Sequence, residues 1–185
     1  MKLNHIMLDF ETFSTISTAA ILSIGAVRFD LASGTIDDKG FYSSISIDSN
    51  VEAGRHISES TLLWWMDQGE AAKKLFNEPK VTLHQGFEDL AAFIDNPDCQ
   101  IWSCGADFDI PMAAHAFHTL GIELPWKFYN ANCYRTYKKL PGAPKQKNPP
   151  LIKHNALHDA HAQAIHVCEI HAALFTRANM KASAK

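Results

Sequence analysis

A chain of 185 residues, 46% hydrophobic and 20% charged, is long enough for one domain with a sizeable core, and that composition excludes a disordered polymer. No run approaches 18 uncharged apolar residues, which excludes a membrane-spanning helix. The net charge of −3 conceals an asymmetry: residues 1–126 hold 7 Lys/Arg against 18 Asp/Glu, whereas residues 127–185 hold 10 against 2.

The first element expected is a strand ending in Leu8-Asp9-Phe10-Glu11-Thr12. Side chains alternate along a strand, so Asp9 and Glu11 point one way while Leu8 and Phe10 face the other layer. Two like charges about 6–7 Å apart are unfavourable unless a cation joins them, and a divalent metal with oxygen ligands is the economical explanation. A second strand is expected over Ala20 to Phe29, where Gly25 and Ala26 leave room for another backbone. A third follows from Phe41 to Ile47, so that the sheet begins with three antiparallel strands.

The period then changes. Ser58 opens a helix with Leu62, Leu63, Trp65 and Met66 as its apolar side, ended by Gly69. Trp64 and Trp65 point about 100° apart, so one belongs to the core and the other is free to stack on a base. A short helical segment covers 70–76, and Thr82 to Ile94 is a stronger helix. Cys99 to Cys104 reads as a buried strand, followed by a helix that Asp109 and Pro111 open. Leu124 to Tyr129 is expected as a short strand, and Ala131 to Leu140 as a short helix.

Residues 141–150 hold four of the eight prolines and read as an exposed loop. The last helix begins at Leu157 or His158 and continues through Phe175, with His158/His161 read as a surface pair and His166/His171 as partly exposed residues of it. One domain is expected over 1–178, with a frayed tail over 179–185. Strands first, then alternating helices and strands, indicate an α/β domain whose mixed central sheet is flanked by helices. The four cysteines form no CxxC pair, and Met1-Lys2-Leu3-Asn4 enters the first strand with no apolar h-region, which together lead us to expect a reducing, cytoplasmic setting.

Asp9, Glu11, Asp109 and Asp159 lie on separate elements able to converge, and His154 stands in a loop five residues before Asp159. Four carboxylates can hold two divalent ions, which neutralise a transferring phosphate while assisting the attacking water and the leaving oxygen. Mg²⁺, or Mn²⁺ in its place, suits an all-oxygen site, and a histidine near neutrality suits proton acceptance from water. Between Lys127 and Lys153 the chain holds seven basic residues and no acid, a block that suggests a polyanion surface. A zinc site built from His154, His158, His161 and Asp159 is a competing arrangement that leaves Asp9 and Glu11 without a task. Glycoside hydrolysis needs two acids rather than four and has no use for the basic block. A non-catalytic nucleic-acid-binding protein would use that block but has no reason to gather four acids and a histidine.

Asp9-Phe10-Glu11-Thr12, the segment from Gly105 to Asp109, and His154-x4-Asp159 resemble the three motifs of the DEDDh 3′–5′ exonucleases of the ribonuclease H-like superfamily. The chain is most similar to small phage and prophage exonucleases and to RNA-trimming exoribonucleases with a Trp-Trp helix. The resemblance implies a ribonuclease H-like fold and the release of 5′-mononucleotides from single-stranded DNA or RNA with a free 3′ end, DNA slightly favoured. It makes Asp9, Glu11, Asp109 and Asp159 the ligands of two Mg²⁺ ions and His154 the general base. Thr12 and Phe13 match positions that hold the terminal nucleotide, and Trp64, Trp65, Arg135, Lys138, Lys139 and Lys153 are further candidates for substrate contact. A homodimer suits a small enzyme of this kind. Many members carry Asn where this chain has Gly105, a departure that bears on a contact to substrate rather than on the metal ligands.

Overall fold

The computed structural model describes residues 3–105 and 107–183. Three strands, β1 (His5–Thr12), β2 (Ile21–Phe29) and β3 (Phe41–Ser44), run antiparallel, as the sequence indicates. Helices α1 (Ile47–Glu52), α2 (Glu59–Met66), α3 (Glu70–Lys73) and α4 (Leu83–Ile94) follow. Then come β4 (Gln100–Ser103), α5 (Asp109–Thr119), β5 (Ala131–Cys133), α6 (Tyr134–Tyr137) and α7 (Ala156–Ser183). The sheet order is β3-β2-β1-β4-β5, with β4 parallel to β1 and β5 parallel to β4. Among the described residues no helix is long and apolar enough to cross a membrane.

The alternation along β1 builds two cores. Ile6, Leu8 and Phe10 pack with Ile24 and Ile101 against Phe87 and Leu90 of α4 and Ala113 and Phe117 of α5. Met7 faces the opposite layer, with Val27, Phe29 and Trp102 against Ala160, Ala164 and Val167 of α7. Asp9 and Glu11 share the parity of Met7, so both carboxylates are directed toward α7. At the far end of the sheet Phe13, Leu22, Trp65, Ala72 and Leu75 form a third cluster.

Gly25 fixes how close α7 comes. It is the register partner of Asp9. A Cβ there would overlap the backbone of Ala156 and Leu157 at the start of α7, so the missing side chain is what lets this helix end lie on the sheet beside Asp9. Asn155 caps the same end, its Oδ1 accepting the N–H of His158 at 3.1 Å.

Several boundaries differ from the sequence reading for local reasons. The third strand stops at Ser44 because Ser46 caps α1, a helix the periodicity did not indicate. No strand forms over Leu124 to Tyr129: Pro125 lacks the donor a ladder needs, and a 3₁₀ turn occupies Phe128–Asn130. The helix expected over Ala131 to Leu140 is divided, its first three residues extending the sheet as β5 and only Tyr134–Tyr137 being helical. The final helix continues past Phe175 to Ser183, so the expected tail is helical over 179–183, while 184–185 lie outside the described residues. His166 is buried rather than partly exposed: it is 3% exposed, with Nδ1 bonded to the Tyr134 hydroxyl at 2.7 Å and Nε2 donating to the Pro144 carbonyl at 3.0 Å.

Candidate active site

Asp9, Glu11 and Asp159 each offer a ligand oxygen, and these oxygens all lie within 4.8 Å of one another. Two come from alternate positions of β1 and the third from the first turns of α7, seated over Gly25. Gln163 stands one turn after Asp159 on that helix, and its Nε2 donates to Asp9 Oδ1 at 2.8 Å. Oδ2 of Asp159 and Oε1 of Gln163 are buried without a hydrogen-bond partner among the described residues. A buried carboxylate oxygen left this way is costly unless a cation meets it.

Asp109 joins by a different route. β4 pairs with β1 only as far as Met7, so the N–H of Phe10, which points to the β4 side, has no strand to bond. Asp109 Oδ1 accepts that N–H at 3.2 Å. The carboxylate is the first residue of α5 and is 2% exposed. Its oxygens fall outside the tight group of three, yet its charge is felt at both Asp9 and Glu11.

All four acids ionise above the ordinary carboxylate range, and at Asp9 and Glu11 the neighbouring acids add to the effect of burial. Burial first, then the charges of Asp109, Glu11 and Asp159, holds Asp9 well above the ordinary carboxylate range, against a smaller opposing pull from the Gln163 hydrogen bond. Burial, followed by Asp159 and Asp109, pushes Glu11 up to about 8. Burial raises Asp109 to about 7 against the counter-effects of the Phe10 N–H, its own backbone N–H and the Arg135 charge. Burial also raises Asp159, opposed by the backbone N–H and the charge of His154.

His154 adopts φ 60°, the left-handed region that is uncommon for a side-chain-bearing residue. Its ring meets Trp64 edge to face, centroids 4.9 Å apart, and Trp65 at 6.3 Å. The two tryptophans divide as their angular separation requires. Trp65 is 2% exposed and its Nε1 donates to the Thr12 carbonyl at 2.9 Å, whereas Trp64 remains 42% exposed. Leu62, Leu63 and Met66, expected on the apolar side of α2, are exposed instead, and Trp65 is the buried residue of that helix.

A cavity of about 420 Å³ opens beside Glu11, lined by Thr12, Ser14, Thr15, Trp64 and Phe108 among others. Phe13 does not line it: its ring is buried and stacks on Phe76, so this candidate for substrate contact belongs to the core. Lys138 is drawn over the Tyr134 ring at 4.8 Å, and Lys139 and Lys153 are exposed. Arg135 reaches the site through the Cys104 carbonyl, to which its Nη2 donates at 2.9 Å. No zinc arrangement forms among the described residues, since the group able to hold a metal contains no histidine. His158 and His161 instead line a separate cavity of about 450 Å³ with Lys39 and Leu151.

Sequence reasoning missed Gln163 and Phe108. Gln163 is four residues after Asp159 and therefore on its helical face; Phe108 adjoins Asp109 and turns toward the cavity.

Solved structures of exonuclease I share this fold. The product-bound form superposes with a TM-score of 0.65 at 11% identity, covering 93% of this chain and 44% of that one. The Escherichia coli enzyme in complex with a dT13 oligonucleotide gives 0.68 at 11%, covering 95% and 42%, and its complex with a dA16 oligonucleotide gives 0.66 at 11%, covering 93% and 41%. The chain thus spans less than half the length of these proteins, and the likeness is one of fold: a ribonuclease H-like mixed sheet flanked by helices. Comparison with curated proteins found no match. The model of the Rv2179c-like 3′–5′ exoribonuclease domain matches residues 4–171, and the chain belongs to that family of 3′–5′ exonucleases.

Proposed function

We propose that the cleft hydrolyses the 3′-terminal phosphodiester of single-stranded RNA with the aid of two divalent ions, releasing nucleoside 5′-monophosphates one at a time. The observation that carries this reading is the convergence of Asp9, Glu11 and Asp159 oxygens within 4.8 Å, with Asp109 and His154 at their margin. The donor set fits the metals: it is all carboxylate oxygen, and the partnerless Asp159 Oδ2 is what a cation would engage. Asp9, Glu11 and Asp159 would hold the ions, with Asp109 completing the set. Divalent ions bound there supply neutralisation of the transferring phosphate's charge and polarisation of the attacking water.

The protein's own groups do the rest. Gln163 fixes the Asp9 carboxylate by donating to Oδ1, and the Phe10 N–H fixes that of Asp109. An imidazole nitrogen of His154 accepts the proton of the attacking water. Trp64, packed edge to face on that ring, limits its rotation. The 420 Å³ cavity receives the terminal nucleoside, with Trp64 and Phe108 as aromatic surfaces. Lys138, Lys139 and Lys153 lie in the acid-free basic segment and draw in the phosphate backbone.

The slight preference for DNA expected from sequence rested on likeness to phage enzymes. Two observations support RNA instead: the family's description as an exoribonuclease, and the accessible hydroxyls of Thr15, Ser60 and Thr61 around the cavity, which can meet a 2′-hydroxyl. The test compares 3′-labelled and 5′-labelled single-stranded RNA and DNA in Mg²⁺ and Mn²⁺. The reading expects label released as mononucleotide at once from 3′-labelled RNA, and a ladder from the 5′-labelled strand. Mononucleotide released first from the 5′ end, or no turnover of either polymer, would reject it.

A further inference from the structure

Gly105 and Arg135 form a pair that the carboxylate chemistry does not use. Gly105 has φ +118°, and a Cβ placed on it would lie 3.1 Å from both Cζ and Nη2 of Arg135 and 3.0 Å from Oδ1 of Asp107. The guanidinium therefore occupies ground that almost any other residue at 105 would claim. One protein carbonyl, that of Cys104, takes a hydrogen bond from it at 2.9 Å among the described residues, and Arg135 is exposed. Its charge reaches Asp109. No ion pair with Asp107 forms within 4.0 Å among the described residues, so the fork keeps N–H groups for a ligand.

Its position says which ligand. The cavity beside Glu11 lies between β1, α2 and Phe108, whereas Arg135 stands past Asp109, over the ends of β4 and β5. A strand whose last nucleoside fills that cavity leaves the carboxylates on the Arg135 flank. A planar guanidinium fork held by one carbonyl matches a phosphate diester or monoester better than a mobile lysine does. We propose that Arg135, in the room left by Gly105, binds the backbone phosphate one nucleotide 5′ of the scissile bond, so that the enzyme favours substrates carrying that second phosphate. This inference rests on the reading of the cleft as a 3′-exonuclease site.

The experiment measures kcat/KM on a dinucleotide with and without a 5′-phosphate, and on a longer oligonucleotide, for wild type, Arg135→Gln, Arg135→Lys and Gly105→Ala. Arg135→Gln is expected to lower kcat/KM roughly 10–100-fold on the phosphorylated dinucleotide, mainly through KM, the range of one charge-assisted contact. The unphosphorylated dinucleotide should change less than about 3-fold, and Arg135→Lys should recover part of the loss. On the oligonucleotide, the slope of log(kcat/KM) against log[salt] should fall by about 0.7, one phosphate contact on a single strand. Fluorescence anisotropy with a labelled oligonucleotide in EDTA should give the same ranking without turnover. Gly105→Ala, if its circular dichroism matches wild type, should reproduce the Arg135→Gln defect; if it does not fold, the Arg135 variants decide. Equal losses on both dinucleotides, or an unchanged salt slope, would overturn the proposal while leaving the nuclease reading intact. A wild-type protein that cleaves none of the three substrates would instead overturn the nuclease reading, and this inference with it.

Discussion

Raising the pH should destabilise the metal-free protein, because its carboxylates are held protonated by their surroundings. Glu11 and Asp109 are 8% and 2% exposed and ionise at about 8 and about 7, against ordinary values of 4.5 and 3.8. In the unfolded chain both have lost their protons well below pH 6. A group raised on folding stabilises the fold below its unfolded pKa and loses that contribution as pH climbs through its folded pKa. At about 1.36 kcal/mol per pH unit per proton, Glu11 costs about 3 kcal/mol and Asp109 about 1 kcal/mol between pH 6 and pH 9. For a domain of this size each kcal/mol moves Tm by about 2–4 °C, so Tm in EDTA should fall by roughly 8–16 °C across that window. The assay is thermal unfolding followed by circular dichroism at constant ionic strength. Glu11→Gln should flatten the fall, and Mg²⁺ or Mn²⁺ should raise Tm more at pH 9 than at pH 6, since cations bind the ionised set. A metal-free Tm that is level or rising from pH 6 to pH 9 would refute the reasoning.

Asp9→Asn should abolish nearly all turnover while keeping Tm within a few degrees of wild type or above it, because the substitution removes one of several crowded charges; wild-type rates from the folded variant would end its assignment as a ligand. His154→Ala should reduce kcat roughly 100-fold or more if His154 is the base, read from single-turnover rates between pH 6 and pH 9, and an unchanged rate over that range would remove it from the mechanism. Gly25→Ala should destabilise by at least about 1–3 kcal/mol in denaturant titration, as the start of α7 is forced off the sheet, and should weaken Mn²⁺ binding by moving Asp159 away from Asp9. Wild-type stability and metal affinity in that variant would show that the close approach at Gly25 does not build the site.

The parts of this site that follow a local rule were legible in the sequence. Alternation on β1 put Asp9 and Glu11 on one face, Gly25 indicated a close backbone approach, and Ser58 and Thr82 fell at the helix starts they mark. What escaped depends on contacts between distant positions. Asp109 reads as a helix opener, yet its carboxylate bonds Phe10, 99 residues earlier, because β4 ends too soon to do so. Gln163 reaches Asp9 across 154 residues. Apolar content misled on α2, where Leu62, Leu63 and Met66 look like core but face outward, and on Phe13, whose position beside the first motif suggested substrate while its ring fills the third cluster. β5 is three residues long and borrows its order from β4, so no pattern within it announces a strand.

Diffraction at the manganese edge from crystals grown in Mn²⁺ tests the central claim most directly. The account predicts two anomalous peaks among Asp9, Glu11, Asp109 and Asp159, at least one within about 2.0–2.3 Å of oxygens from both β1 and α7, the range of a small divalent ion on carboxylates. Manganese found only elsewhere on the protein, or no peak beside Asp9 and Asp159 at millimolar metal, would contradict it.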